Sequence, residues 1–148
     1  MTQRLNVAAF APEAYKSFLG VEAYLHNCGV PLSTIELMKL RASQINGCAF
    51  CVDMHSRDMK KAGESDERLW SVAAWREATV YTPAERAALA LTEEATRLAD
   101  REAVPDAVWQ QAAEHYDDQQ LASLVVAIAM INAWNRIAVT TRLTPGSL

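Results

Sequence analysis

Apolar residues recur every three or four positions along most of this 148-residue chain, with polar residues between them, the periodicity of amphipathic helices. Glycine is scarce, five in all, and no Asn-Gly or Asp-Gly turn separates two alternating strands, so the pattern predicts an all-α protein. A first helix is expected from Pro12 to about Asn27, with Tyr15, Phe18, Leu19, Ala23 and Tyr24 turned to the core and Gly29 and Pro31 marking its end. Ser33 opens a second over Thr34 to Ile45, where Ile35, Met38, Ala42 and Ile45 share a face, and Gly47 closes it. A third runs from Cys48 to Ala62 and stops at Gly63. Ser65-Asp66-Glu67 then caps a short helix through Leu69, Trp70 and Ala73, and Trp75 to Tyr81 is expected to be connecting loop.

Thr82-Pro83-Ala84-Glu85 combines an N-cap, a proline at the first helical position and a capping-box glutamate, and it begins a helix to about Asp100. Pro105 starts another through Val108, Ala112 and Tyr116, and Asp117-Asp118 caps a long last helix from about Gln119 to Leu143. This makes about seven helices, with the two close cysteines at the start of a central one. No repeat, low-complexity tract or linker interrupts the pattern, so residues 1–148 are expected to form a single domain.

The last helix is apolar almost all round, from Leu121, Leu124, Val125 and Val126 to Ala127, Ile128, Ala129, Met130 and Ile131, which predicts burial on most sides. Its apolar run ends at Asn132, short of the roughly 18 residues of a membrane span. A chain of this size has limited capacity to cover such a helix together with Trp70, Trp75, Trp109 and Trp134, so these tryptophans are expected as core or interface anchors and self-association is expected. A net charge of -4 and a pI near 5.3 argue against general nucleic-acid binding. The only basic cluster, Arg57, Lys60 and Lys61, is expected to be a solvated helix face. The opening Met1-Thr2-Gln3-Arg4-Leu5 lacks a signal-peptide core, so a cytoplasmic protein is expected.

In a reducing compartment, a close cysteine pair points to redox or metal chemistry more than to a permanent staple. Cys48, Cys51 and His55 stand three and four residues apart, so on one helix they share a face. Asn46-Gly47 puts Cys48 at the first turn, where free N–H groups and the helix dipole favour a thiolate. His55, one turn from Cys51, is placed to take that thiol's proton. The two arguments favour different cysteines as the more reactive. Two thiols at this spacing also close a short disulfide, so an oxidised sulfur has a partner. Glu36 lies twelve residues before Cys48. Ser33-Thr34-Ile35-Glu36 fits a capping box, while a helical hairpin would bring the same carboxylate towards His55.

Glu36, Cys48, Cys51 and His55 together resemble the E-x11-C-x-x-C-x-x-x-H signature of the AhpD-like alkylhydroperoxidases within the carboxymuconolactone decarboxylase superfamily. The segments from Leu40 to His55, Lys61 to Glu64, Thr82 to Leu91 and Asn132 to Val139 are similar to that family's helices, so the resemblance spans about Ser33 to Arg142. It implies an AhpD-like helical fold, trimers or hexamers, and reduction of organic hydroperoxides by a dithiol that an external thiol or lipoyl-type donor regenerates, with no bound cofactor or metal. It also implies that Cys51 attacks the peroxide, Cys48 resolves the sulfenic acid, and Glu36 and His55 relay the proton. Some members carry a histidine between the cysteines, where this chain has Phe50. The superfamily's lactone decarboxylases lack the cysteine pair.

Other readings of the same residues are a thiol-disulfide exchanger acting on other substrates, a zinc site of Cys48, Cys51 and His55 with Glu36 or water, and a non-catalytic helical scaffold. Cys28 is expected to be a small buried residue, and His26 and His115 surface or helix-end residues.

Overall fold

The computed structural model describes residues 2–101 and 103–146; Met1, the first residue of the opening segment, lies outside them. Among the described residues the chain forms eight α-helices and no strand. They are α1 (Val7–Phe10), α2 (Pro12–Leu25), α3 (Leu32–Ile45), α4 (Ala49–Lys61), α5 (Asp66–Ser71), α6 (Pro83–Thr96), α7 (Asp106–Ala113) and α8 (Asp118–Thr141). Single 3-10 turns follow α5 at Val72–Ala74 and α6 at Leu98–Asp100.

Helix α3 is the axis of the fold, because it packs against α4, α6 and α8 at once. Its run Ile35, Leu37, Met38, Leu40 and Ala42 is buried on more than one side. Ile35 and Met38 join Leu25, Leu91, Leu121, Leu124 and Ile128 in one core, while Leu37 and Leu40 join Met59, Val72, Trp75 and Leu89 in another. Each such side chain contributes roughly 1.5–3 kcal/mol by leaving water. A third, small cluster of Cys48, Phe50, Cys51 and Ala138 seats the cysteines against the end of α8.

The local signals hold at most helix starts. Thr82 accepts from the Glu85 N–H while the Glu85 carboxylate accepts from the Thr82 N–H, and Asp117 and Gln120 do the same for α8. Ser65 caps α5 by accepting from the Arg68 N–H. At α3 the expectation fails: the helix begins at Leu32, its N-cap is Pro31, and Ser33 makes no cap bond. The proline's extended backbone enters the helix two residues early, so the Ser33–Glu36 capping box does not form and the glutamate is free for other partners.

Three other expectations are corrected. The short helix α1, capped by Asn6 accepting from the Ala9 N–H at 3.1 Å, precedes the first anticipated one. Helix α6 ends at Thr96, and the chain to Asp100 is a separate 3-10 turn. On α2, Leu19, Ala23 and Tyr24 are exposed and only Leu25 is buried, because this helix lies on the outside of the bundle. Of the tryptophans expected as core or interface anchors, Trp75 is buried and Trp134 half-buried in this chain, while Trp70 and Trp109 stand on its surface.

Helix α8 buries Leu121, Leu124, Ala127, Ile128 and Ile131 but exposes Ala122, Val125 and Ala129, so one apolar strip is open where burial on most sides was expected. By length and composition α8 matches a membrane span. Its contacts with α2, α3, α4, α6 and α7 make it a core helix of this bundle.

Candidate active site

The α3–α4 turn builds the site. Helix α3 ends at Asn46, and Gly47 takes a left-handed conformation with φ 67°, which an L side chain rarely adopts. The Cys48 N–H donates to the Ser43 carbonyl at 3.0 Å and the Gly47 N–H to that of Gln44 at 3.3 Å, a Schellman-type closure. The Asn46 amide then donates to the side-chain oxygens of Asn132 and Asn135 on α8 at 3.0 and 2.9 Å, and the Asn135 amide donates to Ser43 Oγ at 3.0 Å. The turn is thereby pinned to the longest helix, and α4 folds back along α3.

Cys48 is the N-cap of α4, and its Sγ accepts the Cys51 N–H at 3.2 Å. A disulfide joins the two cysteines, with their Cα atoms 5.3 Å apart. One turn further on, His55 is buried and its Nδ1 lies 2.8 Å from Glu36 Oε2. The other Glu36 oxygen, Oε1, accepts from Lys39 Nζ at 3.2 Å. Burial alone would raise the pKa of Glu36, but the hydrogen bond and charge of His55 and the charge of Lys39 outweigh it and hold the group at about 2. An ionised carboxylate only accepts, so His55 Nδ1 carries hydrogen. In the neutral ring the lone pair is therefore on Nε2.

Cys51, His55 and Glu36 line one cavity of about 1040 Å³, and Cys48 is not among its lining residues. The wall is mainly apolar and includes Leu5, Val7, Leu19, Phe50, Met54 and Leu143, of which Phe50, Met54 and Leu143 pack with the cysteines. The structure thus brings three of the four predicted residues to a shared wall, with Cys48 bonded to Cys51.

Several participants were not anticipated. Lys39 is almost fully buried at 3 % exposure and bonds to Glu22 on α2 as well as to Glu36, and Trp134 of α8 donates to that same Glu22. The signal for Lys39 was its position three residues after Glu36, on the same helix face. The roles of Glu22, Trp134, Asn132 and Asn135 depend on long-range packing that helical spacing does not encode.

The residues read as bland are so placed. Arg57, Lys60 and Lys61 pair on the surface with Asp53, Asp66 and Asp58. Cys28 is a buried free cysteine, and His26 and His115 are exposed. Among the described residues no three His, Cys, Asp or Glu side chains form a metal-holding group.

A family model described as the Carboxymuconolactone decarboxylase family matches residues 11–94. The uncharacterized protein YdfG of Bacillus subtilis is 42% identical over 139 residues, which cover 94% of each chain. An alkyl hydroperoxide reductase AhpD of a Methylobacterium species is 36% identical over 73 residues, 49% of this chain and 38% of that protein. A crystal structure of a protein of unknown function from Agrobacterium tumefaciens, proposed there to be the antioxidant defence protein AhpD, superposes with a TM-score of 0.92 at 40% identity, covering 99% of this chain and 100% of that one. With its C-x-x-C pair in an all-helical fold, the chain belongs to the carboxymuconolactone decarboxylase family as an AhpD-like member.

Proposed function

We propose that this protein is a thiol-dependent peroxidase of the AhpD type that reduces organic hydroperoxides through Cys51 and Cys48. The observation that carries the reading is the shared cavity wall: a sulfur, an imidazole one turn away and a half-buried carboxylate holding that imidazole through Nδ1. Similarity to proteins named AhpD supports it.

In the reduced enzyme, His55 Nε2 takes the proton of the Cys51 thiol, and Glu36 stabilises the imidazolium that results. The thiolate attacks the terminal peroxide oxygen, the O–O bond breaks, and the alkoxide leaves with the proton from His55 as an alcohol. Cys51 is then a sulfenic acid. The Cys48 thiol attacks Cys51 Sγ, its proton leaves with the departing hydroxide as water, and the disulfide seen in this structure remains. Two thiols and one hydroperoxide have become a disulfide, an alcohol and water. An external dithiol of the lipoyl type supplies the two electrons and two protons that restore the pair.

The place of Cys51 on the cavity wall supports it as the attacking sulfur, although Cys48 is the one at the helix N-cap. Phe50 also lines the cavity and carries no proton, so the position between the cysteines supplies no second base beside His55. The exposed apolar strip on α8 with Val125 and the exposed Leu19 and Tyr24 support self-association of this single domain, and the family resemblance suggests a cytoplasmic trimer or hexamer. The direct test is turnover of cumene hydroperoxide with dihydrolipoamide as reductant. Turnover that Cys51→Ser abolishes supports the reading, and the same rate with and without the enzyme refutes it.

A further inference from the structure

The pair that holds His55 does not end at Glu36. Trp134 Nε1 on α8 donates to Glu22 Oε1 at 2.9 Å, Lys39 Nζ on α3 donates to Glu22 Oε2 at 2.6 Å and to Glu36 Oε1 at 3.2 Å, and Glu36 Oε2 accepts from His55 on α4 at 2.8 Å. Four helices thus contribute to one chain of hydrogen bonds that ends at the proposed base. Lys39 is the link: its side chain is buried, and both its carboxylate partners are mostly shielded from solvent. A buried ammonium is costly without such partners, and two carboxylates facing each other without the ammonium would be costly too.

Resting on the peroxidase reading for its kinetic consequence, we propose that Lys39, clamped by Glu22, is a positioning residue that keeps the Glu36 carboxylate turned to His55 and so fixes which imidazole nitrogen is free to act as base. Each Glu36 oxygen has one donor, Lys39 on one side and His55 on the other, so neither donor competes for the other's oxygen. With Lys39 present, Glu22, Glu36 and Lys39 sum to one negative charge beside the imidazole. Without it, two neighbouring carboxylates draw in a proton, either to Glu36, which then donates to Nδ1 and reverses the tautomer, or to His55, which then ceases to be a base. The other charged or titratable groups on the cavity wall are Tyr15 and His26 from the α2 side and Asp58 and Glu64 from the α4 side. Asp58 and Glu64 are paired with Lys61 and Arg68, away from this chain of bonds.

The two ends of the clamp give opposite signs. Lys39→Met removes a positive charge, so the acid limb of the thiol-oxidation rate is expected to move up by about one pH unit, a loss of about tenfold on that limb. Glu22→Gln removes a negative charge and keeps an acceptor, so the limb is expected to move down, by about half a unit. The experiment is stopped-flow oxidation of reduced wild type, Lys39→Met and Glu22→Gln by cumene hydroperoxide across pH, with side-chain 15N spectra of His55 in the same reduced proteins. The protein has three histidines, and the His55 signals are identified by their loss in His55→Gln.

Shifts of opposite sign, with a changed His55 tautomer or protonation in Lys39→Met, support the proposal. Shifts of one sign, or none, in a wild type that reacts overturn it, since a merely structural ion pair would lower stability without moving the profile. If Lys39→Met does not fold, the direction in Glu22→Gln decides. If the wild type does not react, the peroxidase reading falls by itself, and the nitrogen spectra of the folded variants still decide whether Lys39 and Glu22 govern the imidazole.

Discussion

Two glutamates in this fold, Glu93 buried and Glu36 half-buried, are each held by several donors and have different chemical prospects. Glu93 on α6 accepts from Trp75 Nε1 at 2.9 Å, Arg41 Nε at 2.7 Å and the Arg76 guanidinium. Glu36 on α3 accepts from Lys39 and His55. Burial pushes both carboxyls up and their donors pull both down below the ordinary range. The partners of Glu93 are guanidinium groups and an indole, none of which exchanges a proton near neutral pH. The hollow beside it, about 310 Å³, holds no thiol and no imidazole. Glu36 faces an imidazole, and the cavity beyond contains a cysteine. A depressed carboxyl therefore marks an ion-pair clip in one place and, under the proposed function, a proton relay in the other, and the partner's own acid–base chemistry is what tells them apart.

The largest effect expected is at sulfur. Cys51→Ser should abolish hydroperoxide turnover, whereas Cys48→Ser should stop at a sulfenic acid that a dimedone probe captures at Cys51. Capture at Cys48 in the Cys51→Ser protein would reverse the order of attack. Next come the two glutamates. Glu36→Gln is expected to slow thiol oxidation by about a hundredfold, by loss of the oriented base, and to cost about 2 kcal/mol of stability at neutral pH as the depressed carboxylate is lost. Glu93→Gln is expected to cost about 2 kcal/mol of stability, measured by urea unfolding, and to leave thiol oxidation unchanged. If the two variants lost rate equally, the distinction between relay and clip would fail.

Acid sharpens the same comparison. The folded pKa of Glu36 is depressed, so its stabilising contribution is present above the unfolded value of 4.5 and disappears as pH falls towards about 2. Between about pH 6 and pH 3 this carboxyl alone should withdraw about 2 kcal/mol, seen as a falling urea midpoint that is flatter in Glu36→Gln. Glu93 titrates in the same sense, so Glu93→Gln should flatten the curve as well, and only activity separates the two sites. The smallest effect is at a helix start: Thr82→Ala should cost about 1 kcal/mol in urea unfolding with no change at the thiols.

The cysteine segment was legible because its chemistry and its geometry are both local: Asn46-Gly47 ends one helix, Cys48 caps the next, and His55 follows Cys51 by one turn. Glu36 was ambiguous because a local rule, the capping box, competed with a tertiary contact. Pro31 decided it by starting α3 at Leu32, which leaves Ser33 inside the first turn with nothing to cap. The clamp of Lys39, Glu22 and Trp134 was out of reach, since it joins positions 17 and 112 residues apart. The exposure of Leu19, Ala23 and Tyr24 was missed for a related reason. An apolar face identifies a helix, but which neighbour covers it depends on packing, and α2 lies at the edge of this bundle.

The central claim is that Cys48 and Cys51 act as a peroxide-reducing dithiol. The most direct test is stopped-flow loss of free thiols in pre-reduced, metal-free protein on adding an organic hydroperoxide, followed by mass spectrometry of the peptide that carries both cysteines. Rapid loss of two thiols with a two-hydrogen decrease in mass is the predicted result. Accessible thiols that persist in excess hydroperoxide would contradict the account and redirect attention to disulfide substrates.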